Sequence, residues 1–163
     1  MQLDHYVHTL GRHLKARFGE RVHKLALNAA FTCPNRDGTL GRGGCTFCNV
    51  RAFSRTADIP LAEQLQQAKT GADRARKYLA YFQAYTNTYA EVATLRGLYK
   101  AALTSADVVG LCVGTRPDCV PDAVLDLLAG YRDQGYEVWL ELGLQSACDE
   151  TLARINRGHG WAA

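Results

Sequence analysis

No apolar run in these 163 residues approaches the ~18 that a membrane helix requires, so no membrane association is expected. The N-terminus, Met1-Gln-Leu-Asp-His, lacks the basic segment followed by an apolar one that marks a secretory signal. A cytoplasmic location is the resulting expectation. Reducing compartments disfavour structural disulfides, so the 6 cysteines point to metal or redox chemistry first. Low-complexity segments are absent, and no linker divides the chain. A single domain over residues 1–163 is expected, long enough to bury a sizeable core.

The small net charge of +3 is unevenly spread. Residues 1–77 carry 13 Lys and Arg against 6 Asp and Glu, a net of +7; residues 78–163 carry 6 against 10, a net of −4. A basic N-terminal portion attracts phosphate-rich partners such as RNA, or is simply a solvated surface.

Half of the cysteines lie in one stretch, Cys33-Pro-Asn-Arg-Asp-Gly-Thr-Leu-Gly-Arg-Gly-Gly-Cys45-Thr-Phe-Cys48. Cys45 and Cys48 form a C-x-x-C pair, a spacing that brings two thiolates to one metal centre. The glycines before Cys45 permit positive φ and close backbone approach. Arg36 and Arg42 add positive charge, which favours the thiolate.

Apolar periodicity predicts a helix over residues 1–20, carrying Leu3, Leu10, Leu14 and Phe18. Four strand-loop-helix units follow over 22–163. Val22 to Phe31 reads as the first strand and runs directly into Cys33. Pro60 opens the first crossover helix. Residues 78–85, 108–113 and 137–145 read as further strands, the third apolar throughout as in a sheet buried on both faces. Helices are expected over 91–103, from Pro121 to about 134, and from Asp149 to about 157, with Asp118 placed to help cap the second of these. Repeated β/α units predict an α/β fold with a parallel sheet and helices outside. The loops at 33–48, 83–88, 114–119 and 145–148 then gather on one rim. A closed (β/α)₈ barrel needs eight units and ~250 residues, so four units read as a partial TIM-type barrel, the N-terminal half of a truncated whole.

Three thiolates can hold three irons of a [4Fe–4S] cluster and leave one iron open to a ligand. Cys112, Cys119 and Cys148 are the candidates for a fourth ligand, or packed structural thiols. A zinc site of three cysteines and one histidine, His23 or His159, is the alternative. Zinc modules usually show a second tight ligand pair, which is absent here, so the spacing sides with iron–sulfur.

The motif Cys33…Cys45-Thr-Phe-Cys48 after a first strand resembles the cluster motif of radical S-adenosylmethionine (radical SAM) enzymes. The commonest family spacing is C-x₃-C-x₂-C. The long first gap seen here is similar to that of the branch containing the elongator acetyltransferase catalytic subunit. Glu141-Leu-Gly-Leu-Gln-Ser146 and Ile155-Asn-Arg-Gly-His159 resemble later motifs of that branch. With Gly114-Thr-Arg-Pro-Asp-Cys119, the whole chain looks closest to the YhcC-type group.

The resemblance implies that Cys33, Cys45 and Cys48 ligate a [4Fe–4S] cluster and that SAM chelates the open iron. It implies reductive cleavage of SAM to a 5′-deoxyadenosyl radical that abstracts hydrogen from a substrate. A reducing partner such as flavodoxin or ferredoxin is implied as well. Phe47 matches an aromatic near the adenine, and Gln145 and Glu141 match positions near the SAM ribose. Many relatives carry a Gly-Gly pair in the second-strand loop that meets the SAM amino group. This chain has Gln83-Ala-Tyr85-Thr-Asn-Thr88 instead, leaving Gln83 and Tyr85 as the cofactor-binding candidates there. Some relatives modify tRNA, which joins the enzyme reading to the alternative of a metal-stabilised, RNA-binding basic module.

Overall fold

The computed structural model describes residues 5–49, 56–72 and 74–163. Helix α1 spans Leu10–Phe18. Strand β1 is Val22–Leu27, followed by a one-turn helix α2, Pro34–Asp37, and α3, Leu61–Thr70. Then come β2, Lys77–Phe82, α4, Val92–Ala102, and β3, Val108–Thr115. A 3-10 turn at Pro117–Cys119 leads to α5, Asp122–Asp133, β4, Glu137–Leu142, and α6, Asp149–Arg154.

The four strands are parallel and pair in the order β1-β2-β3-β4. Each crossover therefore advances one strand in the same direction, and right-handed crossovers then put every connecting helix on one face. That face carries Leu25, Leu27, Phe82, Leu111 and Val113, packed against Leu65 of α3, Leu95 and Tyr99 of α4, and Val124 and Leu127 of α5. The register places Lys24, Leu79, Tyr81, Cys112, Trp139 and Glu141 on the opposite, concave face. Helix α1 covers part of it, with Leu14 buried against Leu79 and Cys112 beside Phe18 and Trp139. This is the arrangement of a TIM-type barrel opened along one side.

The α1 helix is shorter than its apolar periodicity predicts. Thr9 has extended backbone and its hydroxyl accepts from the Arg12 amide, so it caps the helix and His5 to His8 lie outside it. Gly19, with φ of 73°, ends it in the left-handed region. Leu3, Arg51 and Arg55 lie outside the described residues. Asp118 does not cap α5: Pro121 holds that position without a side-chain cap, and Asp118 turns back to Arg116 instead. The third strand is buried along nearly all its length, as its composition requires. Among the described residues no helix is long and apolar enough to cross a membrane.

Between Tyr78 and Leu79 the β2–β3 register slips by one residue, so Val109 bulges and Gly110 pairs with Glu137. A Cβ on Gly110 would come 2.0 Å from the Glu137 carbonyl oxygen. Only glycine lets β3 and β4 approach this closely.

Candidate functional site

The cysteine loop leaves β1 at the C-terminal end of the sheet and is built on two local devices. Cys33 sits at the N-terminal cap of α2, where its carbonyl accepts from the amides of Arg36 at 2.8 Å and Asp37 at 3.1 Å. Cys45 and Cys48 form a tight turn through the Cys48 amide and the Cys45 carbonyl, 3.0 Å apart. Between Cys33 and Cys45, just before Cys45, the chain passes through Gly43 and Gly44, with φ of 86° and 82°. Side chains rarely adopt that conformation, which explains two adjacent glycines here.

The loop is clamped from a distance by the segment after α6. The Thr46 amide donates to the Ile155 carbonyl at 3.0 Å. The Asn156 side chain donates to the Gly44 carbonyl at 2.8 Å. The Asn35 Nδ2 donates in return to the Asn156 carbonyl at 2.5 Å.

A cavity of about 490 Å³ opens over the C-terminal ends of the strands. Cys33, Cys45 and Cys48 line it from one side, with Phe47 beside them. Gln83 and Tyr85 line it from the β2 loop, and Glu141 and Gln145 from β4 and its loop. Cys45 is buried, Cys33 half-buried and Cys48 exposed. Phe47 is 52% exposed. Tyr85 and Gln145 hold left-handed backbone, φ 67° and 71°. Non-glycine residues pay ~1–2 kcal/mol for that conformation, and such strain clusters at functional sites.

Glu141 projects from the concave face and pairs with Lys24. The neighbouring Tyr81 phenol is pushed up to about 12 by burial, with help from the Glu141 carboxylate. It therefore stays neutral on the cavity floor near pH 7.

Cys112, Cys119 and Cys148 do not line this cavity. Burial pushes the Cys112 thiol up to about 12 and the Cys119 thiol up to about 11, so both are neutral packed thiols. Cys148 is exposed at the start of α6. His23 and His159 are also absent from the lining. Among the described residues no three His, Cys, Asp or Glu side chains converge on a single ion-sized point.

Three further residues emerge only from the structure. Arg116 is 2% exposed and forks onto Asp118, Nε to Oδ1 at 2.8 Å and Nη2 to Oδ2 at 2.7 Å. Burial opposes its charge, but the carboxylate outweighs that and holds the guanidinium protonated. Its Nη1 donates to the Arg157 carbonyl at 2.9 Å and lies 4.0 Å from the Cys33 sulfur. Arg157 is 6% exposed; its Nη1 donates to the Cys45 sulfur at 3.5 Å and its Nη2 to the Gly143 carbonyl at 2.5 Å. Its Nε is buried without a partner, and among the described residues no carboxylate pairs with it. Asn35 completes the group, with Nδ2 3.6 Å from the Cys45 sulfur. The sequence signal for them was the company they keep: all three lie in the segments that carry the family resemblance.

A buried cation without a carboxylate needs an anion beside it. Arg157 faces Cys45, so the donor set fits an anionic thiolate-bound group, and the three thiols on one cavity wall fit a group with three cysteine ligands.

The chain is 62% identical to protein YhcC of Escherichia coli K12 over 164 aligned residues, covering 99% of this chain and 53% of that protein. It is 46% identical to the uncharacterized protein YtqA of Bacillus subtilis 168 over 160 residues, covering 93% of this chain and 49% of that one. The chain thus spans about half the length of the curated relatives it matches. Residues 33–163, from the first motif cysteine onward, match the Radical SAM superfamily, and the chain belongs to that superfamily.

Proposed function

We infer that this chain forms the cofactor-binding half of a radical SAM enzyme of the YhcC type. Cys33, Cys45 and Cys48 would hold a [4Fe–4S] cluster, and SAM would occupy the rest of the cavity. The chemistry supplied when both are bound is one-electron cleavage of SAM to methionine and a 5′-deoxyadenosyl radical, which takes hydrogen from the substrate.

The chain's own residues shape that chemistry. Cys33, Cys45 and Cys48 give three ligands from one loop, and no other cysteine lines the cavity. That leaves room for a fourth ligand from outside the protein. Phe47 shields the rim. Gln83, Tyr85, Glu141 and Gln145 would supply further polar groups to the cavity lining. Tyr81 remains a neutral phenol on the floor, fixed beside Glu141.

The observation that carries this reading is that all nine of these residues line one cavity, although the cysteine loop and β4 lie some hundred residues apart. The test is anaerobic reconstitution with iron and sulfide. About four irons and four sulfides per chain are expected, with 5′-deoxyadenosine released from SAM on addition of dithionite. A flavodoxin or ferredoxin would serve as reductant in the cell. A Cys45→Ala, Cys48→Ala double variant that keeps its cluster overturns the ligand assignment. Zinc without labile sulfide in anaerobically purified protein overturns the whole reading.

Arg36 lines the same cavity, and the basic N-terminal portion favours RNA as the substrate class. Retention on a tRNA column should weaken as salt rises; retention unaffected by salt argues against phosphate contact.

A further inference from the structure

The three thiols of the loop are not equivalent. Cys45 is buried and faces two N–H donors, Asn35 Nδ2 at 3.6 Å and Arg157 Nη1 at 3.5 Å. Cys33 is half-buried and faces one, Arg116 Nη1, at 4.0 Å. Cys48 is exposed and meets no side-chain donor among the described residues.

The two donors on Cys45 are held in place by the fold. The Asn35 amide is fixed in orientation because its Nδ2 also donates to the Asn156 carbonyl, which accepts and cannot donate. It is fixed in position because a Cβ on either Gly41 or Gly158 would come 2.7 Å from its Oδ1. Arg157 is fixed by the Gly143 carbonyl on one side and, through its own carbonyl, by Arg116 on the other. The Arg116 charge is already neutralised by Asp118. The Arg157 charge has no carboxylate among the described residues, so its field falls on the Cys45 sulfur.

N–H donors to a ligating thiolate, and a cation beside it, withdraw electron density from sulfur and raise the reduction potential of the attached cluster. We propose that Asn35 and Arg157 are positioning residues that set the reduction potential of the cluster through Cys45, Arg157 supplying the larger part because it brings charge as well as a hydrogen bond. The inference rests on the cluster assignment above and concerns how readily the cluster accepts its electron.

The test is a dithionite titration of the reconstituted full chain followed by electron paramagnetic resonance, comparing wild type, Asn35→Leu, Arg157→Lys and Arg157→Gln. Iron and sulfide are counted first in every sample. At the wild-type midpoint, Arg157→Gln should lower the ratio of reduced to oxidised cluster at least tenfold, equivalent to 59 mV for a one-electron couple. Arg157→Lys, which keeps the charge, should fall between the two. Asn35→Leu should shift the ratio in the same direction by less. A second readout uses protein grown with ¹⁵N-asparagine: the reduced cluster of the wild type should show a weak ¹⁵N coupling that Asn35→Leu lacks, which separates Asn35 from Asn49 beside Cys48. Full cluster content with an unchanged potential in both Arg157 variants, or no ¹⁵N coupling in the wild type, overturns this inference and leaves the ligand assignment standing. Absence of any cluster in wild type overturns both.

Discussion

Lys24 on β1 and Glu141 on β4 form an ion pair across the concave face, although β2 and β3 lie between their strands. In a flat sheet those strands would stand ~14 Å apart, three spacings of the ladder. The contact therefore reports the curl that turns a sheet into a barrel wall. The Lys24 ammonium also lies 4.6 Å from the Tyr81 ring centroid and 5.4 Å from that of Trp139, so aromatic faces replace part of its water shell. The side chains are 24% and 31% exposed, between a surface pair worth at most ~1 kcal/mol and a buried pair whose disruption costs ~3–5 kcal/mol. Lys24→Met should cost about 1–2 kcal/mol in urea unfolding. Lys24→Met with Glu141→Gln should cost less than the sum of the two single changes, because the double variant strands no charge.

The Arg116–Asp118 fork predicts an acid limb in the stability profile. Burial alone would raise the Asp118 carboxyl, but the Arg116 hydrogen bonds and charge outweigh it and hold the group below the usual carboxylate range. A depressed folded value contributes stability that is fully present above the unfolded value near 3.9 and is lost as pH falls through the folded one. Thermal unfolding should show the wild type losing this advantage over Asp118→Asn below about pH 4. At pH 7 the variant should be the less stable, since a 2% exposed guanidinium loses its partner.

Thiol reactivity should divide the cysteines by environment. Cys148 is exposed, and the Thr151 amide and hydroxyl hold its thiol below the ordinary range. It should be the most readily alkylated in metal-free folded protein, with exposed Cys48 also reacting. Cys112 and Cys119, pushed up to about 12 and about 11 by burial, should react only on unfolding. After reconstitution Cys48 should become protected while Cys148 stays reactive, which peptide mass spectrometry reads directly. Protection of Cys148 would make it a ligand and revise the set.

What was legible in the chain follows from the range of each interaction. The parallel units could be read because the apolar run of β3 and the stripe of α4, with Leu95, Tyr99 and Ala102 buried, are local consequences of packing on a two-sided sheet. The cysteine trio was legible for the same reason, its members lying within sixteen residues of one another. The Arg157–Cys45 contact spans 112 positions, and no spacing rule marks which of 19 basic residues will be buried. Asp118 shows the limit at short range: an acidic residue just before a helix reads as a cap, yet the buried Arg116 two positions back competes for it and wins. The shortened α1 has a similar origin, since apolar periodicity continues upstream while Thr9 ends the helix by capping it.

The backbone at Gln145 separates stability from function. Its φ of 71° lies in the left-handed region, which costs a side-chain-bearing residue ~1–2 kcal/mol relative to the right-handed one. Glycine avoids that cost but gives back ~0.5–1 kcal/mol through the greater freedom of the unfolded chain. Gln145→Gly should therefore leave the protein as stable as the wild type or up to about 1 kcal/mol more so. Gln145→Ala keeps the strained φ and should show no such gain. Both variants lose the side-chain amide of a residue that lines the cavity, so SAM affinity measured calorimetrically on reconstituted protein should fall in both, roughly tenfold for a neutral hydrogen bond worth about 1 kcal/mol and a desolvated partner left unmet. If Gln145→Gly binds SAM as wild type does, the strained residue is a feature of the turn and its side chain has no part in the cofactor site.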